Sequence, residues 1–359
     1  FKEGGGPPTL SGPNSYPGDT RVSAGILRAG SARAFGAGGR FMTVNSGATL
    51  DLGGFDIGVA AIIGGGQIDL GGRTLTTGGA GGLFTRRITG TGGYTRTGGF
   101  TQILNGCNND YTGVTTIGGA LSIDCIANGG QASGIGASSS ASSNLVFAGG
   151  TLVYTGASVS TDRGFAMTGN GNLNVFNAGT TLEFSGNIAG AGQLNKDGAG
   201  TLLLSGSNKA AGNFRVINGT LQAASTTALG SGWVSLDDTA GVLLDLDGFN
   251  NNVLYLIGGG ATGGNIALDG ATLTINNGGG AGVIYGGAIS GSGGLIKNGG
   301  SFQQLSGCAS SYGGTTVING GILSVSCLGD GGADSSIGSS SAAGGNLVLS
   351  GGGRQNVGT

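Results

Sequence analysis

One cassette, written four times, constrains the fold of this 359-residue chain more than any other feature. The first copy runs Gly12-Pro13-Asn14-Ser15-Tyr16-Pro17-Gly18, then Thr20-Arg21-Val22 and Gly25-Ile26-Leu27. The second runs Gly106-Cys107-Asn108-Asn109-Asp110-Tyr111-Thr112-Gly113, then Thr115-Thr116-Ile117 and Gly119-Ala120-Leu121. The third keeps Gly206-Ser207-Asn208, Gly212 and Gly219-Thr220-Leu221. The fourth keeps Gly307-Cys308, Tyr312-Gly313-Gly314 and Gly321-Ile322-Leu323. The opening glycines are 94, 100 and 101 residues apart. Copies one and three continue into Leu50-Asp51-Leu52-Gly53-Gly54-Phe55 and Leu244-Asp245-Leu246-Asp247-Gly248-Phe249. Copies two and four carry the cysteines and continue into Ser133-Gly134-Ile135-Gly136 and Ser336-Ile337-Gly338. A repeated unit cannot bury its apolar face alone, and stacking neighbours gives it a continuous core. The expectation is a single continuous β-helix over residues 1–359. Its super-repeat is about 200 residues (1–200 and 201–359), each made of two cassettes of about 100.

Within the cassettes the pattern is strand. Leu121-Ser122-Ile123, Leu323-Ser324-Val325, Leu182-Glu183-Phe184 and Leu273-Thr274-Ile275 alternate apolar and polar residues with period two. Gly, Asn, Asp or Ser punctuates nearly every such segment, and 87 residues are glycine. Short strands and frequent corners in a repeating chain predict an all-β, right-handed parallel β-helix, a solenoid of many short strands. A β-sandwich or propeller is the bland alternative. The Ser/Ala-rich stretch 137–143 recurs at 339–343 and reads as a loop inside the repeat.

The run Leu194-Asn195-Lys196-Asp197-Gly198-Ala199-Gly200-Thr201-Leu202-Leu203-Leu204-Ser205-Gly206-Ser207-Asn208, with Gly219-Thr220-Leu221 beyond it, resembles the autotransporter-associated β-strand repeat of bacterial passenger domains. So do Gly149-Gly150-Thr151-Leu152-Val153-Tyr154-Thr155-Gly156 and Ser160-Thr161-Asp162-Arg163. The resemblance implies a β-helical stalk at the bacterial surface or released from it. It also implies partners among bacterial surface or matrix components, with glycans among the candidates. End-to-end self-assembly is a further expectation. Because such stalks serve several roles, two function classes stand: a non-enzymatic structural or adhesive stalk, and a glycan-binding or glycan-processing β-helix.

The four cysteines form two pairs of near-equal spacing, Cys107 with Cys125 and Cys308 with Cys327. If one rung takes about 18–20 residues, each pair shares a corner of adjacent rungs. Strands about 4.8 Å apart then fall inside the Cα window of a disulfide. Two structural disulfides imply an oxidising, extracytoplasmic compartment. The bland reading is four buried free thiols. CxxC spacing for a metal or redox centre is absent.

Other chemistry is sparse. The chain has no histidine, so it cannot run a Ser-His-Asp or Cys-His mechanism in cis. Fifteen basic against seventeen acidic residues give no footprint for nucleic acid. No apolar run is long enough to span a bilayer as a helix. No catalytic, metal or cofactor residues are expected, and no cofactor. Asp51, Asp245 and Asp247 read as a solvated outer face, Asp237-Asp238 and Asp162-Arg163 as surface turns, and Asn14, Asn108 and Asn208 as turn residues. All four prolines, Pro7, Pro8, Pro13 and Pro17, lie in the first 17 residues, so the first rung reads as an edge that is hard to extend. At the other end Leu347-Val348-Leu349 matches Leu145-Val146-Phe147. The expectation is a longer repeated polypeptide, or a last rung covered by another subunit.

Overall fold

The computed structural model describes residues 7–36, 40–208, 212–280, 282–350 and 356–358. The chain forms two compact units, Phe1–Asn174 and Val175–Thr359. In each unit, strands pair in parallel with segments about one rung away in sequence, which makes the fold a parallel β-solenoid. The described residues hold a single short 3-10 turn, Ser142–Asn144, and no α-helix.

In the first unit, Thr9–Leu10, Gly25–Ala29, Ala48–Asp51, Gln67–Asp69 and Arg87–Thr89 form one five-stranded sheet. Leu27, Leu50, Ile68 and Ile88 are register partners along it, and all four are buried. The alternation that the sequence writes as apolar-polar becomes buried-exposed because one face of each strand meets the solenoid interior. Tyr94–Leu104 pairs with Thr115–Ile123, and the latter pairs in turn with Leu145–Phe147 and Thr151–Tyr154. In the second unit, Thr181–Phe184, Thr201–Leu204, Thr220–Ala223, Leu243–Asp245, Asn265–Ala267 and Ile289–Ser290 stack in order. They align Leu182, Leu202, Leu221, Leu244, Ile266 and Ile289 into one buried column. Burying each such side chain contributes roughly 1.5–3 kcal/mol, which offsets the ordering of otherwise marginal three- and four-residue strands.

Glycine has a positional reason at one corner. Gly113 N–H donates to Gly92 O at 3.0 Å, and Gly314 N–H donates to Gly293 O at 3.0 Å. A Cβ at Gly113 or Gly314 would lie inside contact distance of the backbone one rung below. Rungs therefore pass this corner backbone against backbone, which only glycine permits.

Candidate functional surface

The corners carry the polar chemistry. Cys107 lies just past Tyr94–Leu104, and Cys125 just past Thr115–Ile123. Leu104 and Ile123 are register partners, so the two cysteines meet as a disulfide with Cα atoms 5.4 Å apart. Cys308 and Cys327 pair likewise at 5.5 Å. Each clasp precedes a long loop. The second-copy loop begins at Ile126, and Ser133 Oγ donates to Gly136 O (2.7 Å) to hold its turn. In the fourth copy Ser335 Oγ donates to Gly338 O (2.7 Å). Tyr111 and Tyr312 lie buried beneath these loops, each hydrogen-bonded to a threonine hydroxyl, Thr115 at 2.7 Å and Thr316 at 2.6 Å. Burial raises both phenols, so they stay neutral.

Asp162-Arg163 departs from the surface turn expected of it. Asp162 is exposed, but Arg163 is 2% exposed. Its Nε donates to Ala127 O (2.8 Å), Nη1 to Ser138 Oγ (3.0 Å), and Nη2 to the carbonyls of Asn128, Gln131 and Gly136 (3.3, 3.1 and 3.0 Å). The charge is buried because the loop turns five oxygen acceptors inward onto one planar fork. Desolvation lowers the guanidinium's pKa from its ordinary value.

Asn208 differs from its expected role as well. Rather than sitting in an exposed turn it is fully buried, accepting from Ile188 N–H (2.8 Å) and donating to Ala228 O (3.0 Å). One side chain so joins the backbones of successive rungs. In the second copy this role falls to Asn109, which accepts from Ile88 N–H at 2.9 Å, while Asn108 is exposed. Asn14 donates to Ala34 O at 2.7 Å.

The carboxylates hold turns. Asp51 accepts from Gly53 N–H (2.7 Å), Asp69 from Gly71 N–H (2.9 Å), and Asp245 from Asp247 N–H (2.9 Å). Each is an Asx-turn that the strand needs at its corner. Asp51 also meets the Arg28 guanidinium at 3.2 Å. Asp237 pairs with Arg215 at 2.8 Å, and Asp238 accepts from Thr262 and Gly263 N–H. Burial raises Asp245 above its ordinary value, against the Asp247 N–H that it accepts from, and the neighbouring Asp269 charge adds to the rise.

Three further buried cations gave no sequence signal beyond their spacing. Lys196 Nζ donates to the carbonyls of Asp197, Gly198 and Asn218 (2.9, 2.7 and 2.9 Å). Lys297 Nζ does the same to Asn298, Gly299 and Gly320 (2.7, 3.0 and 3.2 Å). Arg96, one hundred residues before Lys196, donates to Ala120 O (3.1 Å), Ala80 O (2.9 Å) and Phe100 O. It thereby pins the register shift between Gly98 and Gln102, which throws Phe100 outward, 68% exposed. Ile284 in the second unit is a further exposed apolar residue, at 53%.

Two open grooves lie on this surface. One, of about 490 Å³, is lined by Thr85, Arg86, Arg87, Cys107, Asn108 and Asp110. Arg87 and Asp110 pair across it, which holds the Asp110 carboxyl below its ordinary range. The other, of about 480 Å³ in the second unit, has Thr227, Ser231, Asn252, Leu254 and Asn276 among its walls.

The passenger-associated-transport-repeat family matches residues 2–29, 90–123, 194–223 and 295–325, one stretch at each cassette. The chain is 57% identical over 355 residues to the adhesin BmaC autotransporter of Brucella suis biovar 1 (strain 1330). That alignment covers 98% of the chain, and the chain spans about a tenth of the length of this curated relative. No solved structure matches. Among the described residues no helix is long and apolar enough to cross a membrane. Four transport repeats on parallel solenoid rungs, matched along nearly the whole chain by an autotransporter, make this an autotransporter passenger segment, extracellular or at the cell surface.

Proposed function

We propose that this passenger segment is adhesive and non-enzymatic, its solenoid rungs serving to present outward side chains to surface or matrix components. The observation that carries the reading is the 57% identity, held along almost the entire chain, to a protein named an adhesin. The surface supports it. Phe100 is a large apolar side chain on a bulge that a buried arginine holds in place, and pre-positioned aromatics are the usual anchors of protein interfaces.

Beads coated with the purified chain test this on an immobilised extracellular-matrix preparation. Saturable attachment above albumin-coated beads is expected. Phe100→Ala should lower attachment about tenfold, the order of 1–2 kcal/mol for a hot-spot aromatic, with an unchanged melting midpoint. Attachment at the albumin level contradicts the adhesive reading.

A further inference from the structure

The disulfide corners of the second and fourth copies share one backbone. Asp110 N–H donates to Ile88 O (3.0 Å), and Ser311 N–H to Ile289 O (2.8 Å). Thr112 N–H donates to Gly90 O (3.0 Å), and Gly313 N–H to Gly291 O (2.9 Å). Ile88 N–H is held by Asn109 Oδ1 at 2.9 Å, and Ile289 N–H by Ser310 Oγ at 3.1 Å. Shifted by 201 residues, Thr85, Arg86, Arg87, Asn108 and Asp110 become Gly286, Gly287, Ala288, Ala309 and Ser311. The fourth corner therefore closes, disulfide included, with neither arginine. The second copy carries its charges for something other than the fold.

Those charges gather at the groove of about 490 Å³. Arg87 is committed there: its Nε and Nη2 fork onto the two carboxylate oxygens of Asp110. The fourth copy lacks both members of that pair together. Arg86 has no such partner. It is exposed, and among the described residues no carboxylate or carbonyl meets its guanidinium. The exposed Asn108 amide likewise has no hydrogen bond there. Asp124, one rung on, is turned to Gly106 N–H at 2.7 Å. The backbone offers little to a ligand. Thr85 N–H is spent on Gly64 O and Asn105 N–H on Phe84 O, each at 3.0 Å. An extended peptide would find no open ladder to join. What the groove presents is side chains, in a space that suits a short saccharide.

We infer that this groove binds an acidic saccharide, with the sugar's carboxylate or sulfate on the Arg86 guanidinium and its hydroxyls on the Asn108 amide. A guanidinium presents paired N–H donors that match either oxyanion. The Arg87–Asp110 pair and the Cys107–Cys125 disulfide fix the walls in advance, so binding orders little. This names a partner class for the adhesive reading and rests on it.

The probes are three fluorescent hexasaccharides titrated onto the purified chain: hyaluronan, which carries carboxylates; chondroitin sulfate, which adds sulfates; and maltohexaose, which is neutral. Both acidic probes should bind, and maltohexaose about tenfold more weakly or worse, since a hydrogen bond to a charged group is lost. Chondroitin sulfate binding well above hyaluronan would place sulfate on Arg86, and equal binding would place the carboxylate there. Arg86→Gly, which installs the residue of the fourth copy, should weaken both acidic probes by about tenfold with an unchanged melting midpoint. Arg73→Ala, at an exposed arginine outside the groove, should leave binding as it was. Maltohexaose binding as tightly as the acidic probes overturns the inference. So does an Arg86→Gly protein that binds like the wild type, or a hexaglutamate peptide that binds as tightly as the acidic sugars. Coated beads that attach to matrix while no hexasaccharide binds at millimolar concentration would overturn the saccharide and leave adhesion standing.

Discussion

Lys196 and Lys297 each satisfy three carbonyls at a glycine turn with one ammonium, and each is almost wholly buried. Burial pushes both amines down to about 8 from the ordinary 10.5. Between those pH values the unfolded chain binds more protons than the folded one, so stability rises with pH across the window. The melting midpoint of the wild type should accordingly climb from pH 8 to 10 relative to a Lys196→Met/Lys297→Met variant. A gap that narrows instead would mean that the carbonyls outweigh burial and hold the amines charged. Arg163 is the stronger case. Arg163→Ala removes one donor from each of five acceptors; the Ala127, Asn128 and Gly136 carbonyls keep donors in Thr161, Gln131 and Ser133, and a buried group left unsatisfied, such as the Ser138 hydroxyl, costs about 1–3 kcal/mol. Faster hydrogen exchange confined to 127–140 is expected, and Arg163→Lys should restore little because an ammonium lacks the fork. None of this was legible in the sequence. An Asp-Arg pair reads as solvated by residue type, and only a loop some thirty residues earlier in the chain supplies the acceptors that bury it. Asn108 and Asn109 show the same limit: adjacent asparagines are indistinguishable until the register decides which one faces inward.

Strands and their register were far more legible than side-chain roles. Leu182-Glu183-Phe184 and Leu273-Thr274-Ile275 are strands because period-two alternation survives wherever one face is buried. The rung length was legible too, through the cysteine spacing, since cross-rung partners must recur at the rung period. The clasps tie rungs where the long loops leave the stack. Each closes a loop of sequence separation 18 or 19, worth about 3 kcal/mol in the loop-entropy account. Digestion under non-reducing conditions should yield Cys107–Cys125 and Cys308–Cys327 peptides. Reduction should lower the urea midpoint and should most expose the loops at 126–143 and 328–345. Any other connectivity contradicts the stacked corner.

At the scale of the whole molecule, one short cassette is reused rather than a new core invented. The second and fourth copies share strands, a glycine corner and a buried tyrosine, and the copies vary at buried positions as well as in loops: Arg96 stands where later copies have Lys196 and Lys297. A repeat chain tolerates such exchanges because each rung contacts only its neighbours. The central claim is that these rungs stack parallel and in register. Thr201 is partnered with Thr220, and Leu203 with Gln222. Paired cysteines introduced at these outward positions measure the register directly, since in-register neighbours lie about 4.8 Å apart and fall within disulfide reach. Under mild oxidation Thr201→Cys/Thr220→Cys should crosslink almost completely, and Thr201→Cys/Gln222→Cys, two residues out of register, should crosslink far more slowly. Equal rates, or faster crosslinking of the second pair, would contradict the parallel, in-register solenoid.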